Sequence, residues 1–405
     1  MSEGAAPPPG IRRAADALLA LTALGIPLST TGMEAGVIGL GVLAAVAAVR
    51  GWGVVRRTPL DAVLAVFYAT LLLSTLASRR PLQAIGWLHA WVVLAYFAVF
   101  WWLRDVGHAA RLARLVVLAG LVAAAYGIVQ HFTGADVYRT LLGRQTFVRP
   151  REPGTSGFAV IGFFRNYLTF AHTMIFPLAW AVAFGTGGAR LGLVAAPVIV
   201  AAILLSTARG AWLAMLAVAG GLALCTRGAR VVGGVAALAT AACLTIALTP
   251  QLRAEAADMF ARGGVNTGRL GIYAANLDII HDHPVLGLGF GRYQVAAAPY
   301  YDAHPEADRR SHAHNNFLQM AAEAGLVGLA AFGLLYATVL RRGWEAIRNA
   351  PSAEARHAAA GAWAGVLGFL VGGVTQYTFG DAEVAIAMWT ALAVLMRCHE
   401  ARRGA

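Results

Sequence analysis

Residues 110–130 read ARLARLVVLAGLVAAAYGIVQ. Arg111 and Arg114 stand at one end, and no charge follows from Leu115 to Gln130. At 1.5 Å per residue, such a run crosses about 30 Å of hydrocarbon as a helix. Lipid offers no partner to backbone N–H and C=O groups, so the run must be helical to satisfy its own. Outward from this stretch the pattern recurs, near 14–29, 34–49, 59–77, 83–103, 166–184, 189–206, 210–226, 231–249, 313–340, 357–376 and 382–397. The pattern predicts an all-α polytopic membrane protein of about twelve spans, with both termini on one side.

Composition agrees. Of 405 residues, 59% are hydrophobic and 13% charged, against about a quarter charged in soluble domains. All 32 basic residues are Arg, and the formal charge is +12. The Arg cluster in short loops between runs, which points to membrane topology and anionic lipid or phosphate rather than nucleic acid. Placing Arg50, Arg56, Arg57, Arg104, Arg111 and Arg114 inside predicts cytoplasmic N- and C-termini in a bacterial inner membrane. Cys225, Cys243 and Cys398 are isolated and predict neither a disulfide framework nor a metal site.

Two segments outside the spans are long: His131 to Arg165, and Pro250 to His312. Loops of that length in a compact protein are usually functional or disordered. The second divides the chain into helices of 1–249, a loop subdomain of 250–312, and helices with a cytoplasmic tail of 313–405. Gln251 to Arg262 reads as an amphipathic helix. So does Arg269 to His281, with Leu270, Tyr273, Leu277 and Ile280 at helical spacing. Pro284 then ends the helix, and Gly287, Gly289 and Gly291 permit close backbone approach. The segment is expected to form a folded cap on the membrane.

Three groups carry candidate chemistry. Ser311-His312-Ala313-His314-Asn315-Asn316 stands where the long loop meets the tenth span. A His there suits proton transfer near neutral pH; the alternative is a polar helix entry capped by Ser311 or Asn315. His281, His283, His312 and His314 have the donor chemistry for Zn²⁺. Nothing in the spacing brings them together, and no metal is assigned. Arg209, in Ser206-Thr207-Ala208-Arg209-Gly210, sits in a very short outside turn. Such an Arg is costly unless paired, and its planar fork suits phosphate; the alternative is snorkelling to the interface. The remaining outside Arg, among them Arg80, Arg144, Arg151, Arg269 and Arg292, form a positive surface suited to an anionic lipid-linked substrate. No phosphate-binding loop or dinucleotide fingerprint occurs, so no cofactor is expected and the reaction's energy must arrive with the substrate.

These residues resemble the O-antigen ligase and polymerase superfamily. His314-Asn315, nine residues, then Gly325-x-x-Gly328 is similar to the ligase His signature, and Arg209-x3-Leu213 to its Arg signature. The stretch from Gly268-Arg269 to His283-Pro284 and Gly291 resembles the family's periplasmic loop. The resemblance implies a membrane glycosyltransferase fold of the GT-C-like kind. It implies metal-independent, inverting transfer of a glycan from undecaprenyl diphosphate to lipid A–core at the periplasmic face. It also implies His314 as general base and Arg209 and Arg269 as diphosphate ligands. His312, Asn315, Arg144, Arg151 and Arg80 are expected in support. An O-antigen polymerase and a protein O-glycosyltransferase share the donor and remain open. A transporter would use midplane acids or broken helices, and the acids noted, Glu34, Asp61, Asp381 and Glu383, all lie near span ends.

Overall fold

The computed structural model describes residues 5–83, 90–150, 157–225, 267–307 and 312–401, with 233, 240, 243–249 and 253. Among them the chain is all-helical, without strands. In order run α1 (Pro9–Leu28), α2 (Thr30–Val49), α3 (Asp61–Ala77), α4 (Leu94–Trp102), α5 (Val106–Thr133), α6 (Val137–Leu141), α7 (Tyr167–Thr173), α8 (Ile175–Thr186), α9 (Arg190–Leu205) and α10 (Arg209–Cys225). Then come α11 (Thr267–Asp282), α12 (Tyr293–Ala296), α13 (Ala298–Ala303), α14 (Asn316–Arg348), α15 (Ala353–Gly372) and α16 (Ala382–Ala401). Among the described residues five segments are long and apolar enough to cross a membrane: Thr30–Val49, Val106–Thr133, Tyr167–Thr186, Asn316–Arg348 and Ala382–Ala401. Asp61–Ala77, Ala90–Trp102, Arg190–Leu205 and Arg209–Cys225 are shorter apolar helices. The expected span at 231–249 and the helix at Gln251 to Arg262 lie largely outside the described residues, as does part of the span at 83–103.

The helices close around α16, almost every residue of which is buried from Val384 to Cys398. Small residues allow close helix approach where no hydrophobic drive operates between helices; α15, with seven alanines and four glycines, packs between α8, α10 and α16 in this way. At the C-terminal end of α16, Arg397 donates to the Arg104 carbonyl and Arg104 pairs with Asp16 at 2.7 Å. These exposed pairs are worth about 0–1 kcal/mol each. At its N-terminal end an aromatic cluster forms: Phe332 lies 6.1 Å from Phe67, 5.6 Å from Phe379 and 5.8 Å from Phe317.

The helix that carries the His motif is not continuous. The single run expected at 313–340 is broken within α14 at Gly325, with φ 67° and ψ −174°. A broken helix strands carbonyls before the break and N–H groups after it. The segment after Pro284 takes both sets. Leu288 N–H donates to the Ala322 carbonyl (2.9 Å) and Gly289 N–H to the Glu323 carbonyl (2.9 Å). In return, Leu326 N–H donates to the Pro284 carbonyl at 2.8 Å. Ser74 of α3 closes the join, its Oγ 2.7 Å from the Leu286 carbonyl and 2.9 Å from that of Glu323, while accepting Phe290 N–H at 3.0 Å. A side chain at Gly325 would run into the Val285 carbonyl.

The amphipathic expectation for α11 holds as a helix but not as a face. Ile272, Ala275, Asn276 and Ile279 are buried, whereas Leu270 and Leu277 are exposed. The helix is apolar on two sides, and the cap's own tertiary contacts, to Leu288, Tyr293, Tyr301, Ala313 and Ala322, select the first. The run at 166–184 is likewise two helices, α7 and α8, meeting at Met174.

Gly325→Ala should lower thermal stability in detergent by about 1–3 kcal/mol, the cost of a left-handed non-glycine residue, with the Val285 clash in addition. Gly333→Ala, in the same helix with open space around it, should be neutral or stabilise by about 0.5–1 kcal/mol. Equal melting shifts for the two variants would contradict the break.

Candidate active site at the broken helix

The N-termini of α14, α16 and α10 and the C-terminus of α3 meet at one end of the bundle, around the segment 373–381. Asn316 fixes this segment to the His motif. Its N–H donates to the Gly373 carbonyl (2.7 Å), its Nδ2 to Thr378 Oγ1 (3.0 Å), and its Oδ1 accepts Phe379 N–H (3.0 Å). Asn315 caps α14, accepting Phe317 and Leu318 N–H at 2.8 and 3.1 Å. The polar-cap reading of Asn315 is therefore seen, and it sits beside the candidate chemistry.

His314 precedes the cap in the left-handed region, φ 51°, and is buried. Its Nδ1 lies 2.9 Å from Gln376 Oε1. An amide oxygen only accepts, so Nδ1 carries the proton and Nε2 the lone pair. His312 stacks edge-on against His314 at 4.2 Å, and its Nδ1 accepts the His314 backbone N–H at 3.3 Å.

A buried relay ties the motif to the glycine segment. Ala313 N–H donates to Gln319 Oε1 at 2.7 Å. Gln319 in turn hydrogen-bonds Glu323, one helical turn on. Glu323 Oε1 accepts Gly291 and Tyr293 N–H at 3.1 and 3.3 Å. Buried carboxylates of this kind persist where backbone N–H groups satisfy them.

Arg209 is the first residue of α10, after a turn in which Thr207 is also left-handed, φ 57°. Among the described residues, His314 and Thr207 are the non-glycine positions with positive φ. A β-branched residue in this region is a true outlier. The next residue, Gly210, lies against Thr375 and His172, so this turn borders the same 373–381 segment that holds His314. Arg269, in the first turn of α11, is within electrostatic reach of His172, and Tyr273 OH donates to the Val374 carbonyl at 3.4 Å. Arg209 and His314 thus border one segment, and Arg269 lies one helical turn before Tyr273, which touches it. Arg80 and Arg144 are exposed, the former just beyond the end of α3 and the latter beyond α6. Arg151 and Ser311 lie outside the described residues.

A cavity of about 480 Å³ opens beside Gln376, the hydrogen-bond partner of His314. His312, Gln376, Gln319 and Glu323 line it, with Arg292, Tyr377 and Asp381. Asp381 accepts from Thr169 Oγ1 at 2.6 Å. Burial and the neighbouring Glu383 hold its carboxyl above the usual range. Reading the sequence for acids near span ends found Asp381 and Glu383 but gave them no role. From the sequence alone no role attaches to Glu323, in the helix after the His motif, or to Gln319 and His172, although an ionisable or amide side chain inside an apolar run is itself a signal. His281 and His283 are on the cap's surface, His281 beside Asp282 at 3.2 Å. They do not approach His312 and His314 through any described contact.

A polytopic helical membrane protein with a buried His-amide pair, arginines and a polar cavity at its helix ends is the class these features define. Residues 191–333 match the family described as O-Antigen ligase, a region running from α9 into α14 that contains Arg209, Arg269 and His314. The match supports assignment of the chain to the O-antigen ligase superfamily, and with it a ligase- or polymerase-type function in lipopolysaccharide biosynthesis. No curated protein matches the chain.

The cap is closed by histidine–carboxylate contacts. His304 Nε2 lies 2.7 Å from Asp278 Oδ2 and its Nδ1 3.3 Å from Glu306 Oε1, tying the end of α13 to α11. The Asp278 carboxylate, with Glu306, raises the His304 pKa. A His raised in the folded state stabilises fully below its unfolded pKa of about 6.5, and that contribution is lost as pH rises through the folded value. Between pH 6 and 9, amide exchange over 267–282 and 298–303 should accelerate beyond its intrinsic pH dependence. The excess should vanish in His304→Gln; an identical excess in that variant would contradict the pairing.

Proposed function

We propose that the chain is an O-antigen ligase of a bacterial inner membrane, transferring a glycan from undecaprenyl diphosphate to a hydroxyl of lipid A–core at the periplasmic face. In this reading the chain has about twelve spans in a GT-C-like fold, cytoplasmic termini, and a periplasmic subdomain at 250–312 between 1–249 and 313–405. The observation that supports it best is the placement of the two left-handed non-glycine residues. One is His314, in the His motif of the resemblance, and the other is Thr207, two residues before the Arg209 that opens the Arg motif. Local strain of about 1–3 kcal/mol at each persists only where the surroundings enforce it, and such sites cluster at active centres.

His314 Nε2 takes the proton of the acceptor hydroxyl while that oxygen attacks the anomeric carbon. The bond from that carbon to the diphosphate oxygen breaks, and undecaprenyl diphosphate leaves from the opposite face, inverting the centre. Gln376 keeps the proton on Nδ1, so Nε2 is the basic nitrogen throughout. Arg209 and Arg269 pair with the diphosphate and offset its growing charge, the role a divalent metal fills in other glycosyltransferases. His312 and Asn315 position His314, and Arg80, Arg144 and Arg151 contribute to the positive surface that draws in the donor.

The test is transfer in detergent with EDTA, using undecaprenyl-diphosphate glycan and lipid A–core. A ladder of glycosylated lipid A–core is expected. His314→Ala should reduce it by about 10²–10⁴-fold, the usual contribution of a general base. Arg209→Lys should restore little, because an ammonium is a point charge and not a fork. Longer lipid-linked glycan without ligation would instead mark a polymerase, and an active His314→Ala would remove His314 as base.

A further inference from the structure

Arg292 is the residue of the cavity that the mechanism above leaves without a task. It follows Gly291, whose N–H is held by Glu323, and it caps α12. It is 8% exposed, lines the cavity, and its Nε has no hydrogen-bond partner among the described residues. A guanidinium removed from water with an unsatisfied donor is costly, and such positions are held where a ligand completes them.

The rest of the wall indicates the ligand's chemistry. Phe290 and Phe379 offer apolar faces, and Gln294 and Gln376 offer amides. Asp381 places a buried carboxyl in the wall, next to Glu383 and the start of α16. Apolar planes with a few convergent polar groups, in a volume within about 300–1,000 Å³, describe a small-molecule site. Alternating apolar and hydroxyl surfaces of a sugar fit that lining: the aromatics take its C–H face, and the Asp381 carboxyl takes a hydroxyl. Arg292 alone calls for a negative charge. Glu323 does not fill that role through any described hydrogen bond, since its Oε1 is taken by the Gly291 and Tyr293 N–H groups.

We propose that Arg292 pairs with an anionic substituent, a carboxylate or a phosphate, on the sugar that occupies this cavity, and so selects charged over neutral sugars. The proposal deepens the glycosyltransferase reading by naming the class of sugar beside His312 and His314. Arg's planar fork matches both anions in bidentate geometry, so their common chemistry is what the site reads.

Binding, not transfer, tests it, so that a failed transfer assay would count against the ligase reading alone. The full-length protein in detergent is titrated with galacturonate, glucose 6-phosphate and glucose. At least one anionic sugar should bind about tenfold or more tighter than glucose, equivalent to ~1.4 kcal/mol. Preference for galacturonate or for glucose 6-phosphate identifies the anion. Arg292→Gln should erase the preference while leaving glucose binding in place, and Arg292→Lys should keep part of it. Absence of any anion preference in the unaltered protein would overturn the proposal. So would a preference that survives in Arg292→Gln, or an equal loss for all three sugars with a lowered melting temperature. Should Arg292→Gln fail to fold, the preference of the unaltered protein and its reduction in Arg292→Lys decide the matter.

Discussion

The exchange of backbone hydrogen bonds across the break at Gly325 is the interaction on which the site depends. Without it, the carbonyl of Ala322 and the N–H of Leu326 would be unpaired at the break, each costing about 1–3 kcal/mol where no water replaces the partner. With it, the segment after Pro284 is docked against α14, and Ser74 fastens α3 to both. The first turns of α14 can then diverge from the membrane-crossing part of the same helix and present His314 beside the 373–381 segment.

That arrangement explains why polar chemistry survives in a chain this apolar. Glu323, Gln319 and Asn316 are buried, yet backbone groups or amides engage each of them. Their hydrogen bonds run from the glycine segment to the His motif and on to 373–379, so the parts that hold His314 are satisfied together. The aromatic cluster of Phe67, Phe332 and Phe379 seals the floor beneath them. The cost of burying polar groups is thereby met within the protein, at helix ends, and not in contact with lipid.

Much of this was legible in the sequence. Apolar runs gave the helices at Thr30–Val49, Val106–Thr133 and Ala382–Ala401 to within a few residues at most ends, because hydrocarbon imposes length and composition directly. His314 and Arg209 stand out as polar residues at span ends, and Arg269 as the start of the helical stretch in the long loop. The break was not legible as such. Gly325 reads as a glycine of the His signature inside an apolar run, with no sign of a chain break, and it is the approach of Val285 that goes with its left-handed conformation. The face of α11 that packs into the cap is not legible in the sequence, because the helix is apolar on two sides and long-range contacts decide between them. Glu323 is visible in the helix after the His motif but its role is not, because its partners, the N–H groups of Gly291 and Tyr293, lie far off in the sequence.

The most direct measurement of this dependence is amide exchange in Gly287→Val. Gly287 has φ 65°, and a side chain there would meet the carbonyls of Ala322 and Glu323. Protection is expected to fall together in 283–293 and in 312–324, while 353–372 keeps its own. Loosening confined to 283–293, with 312–324 still protected, would contradict the claim that the docked glycine segment holds the His motif in place.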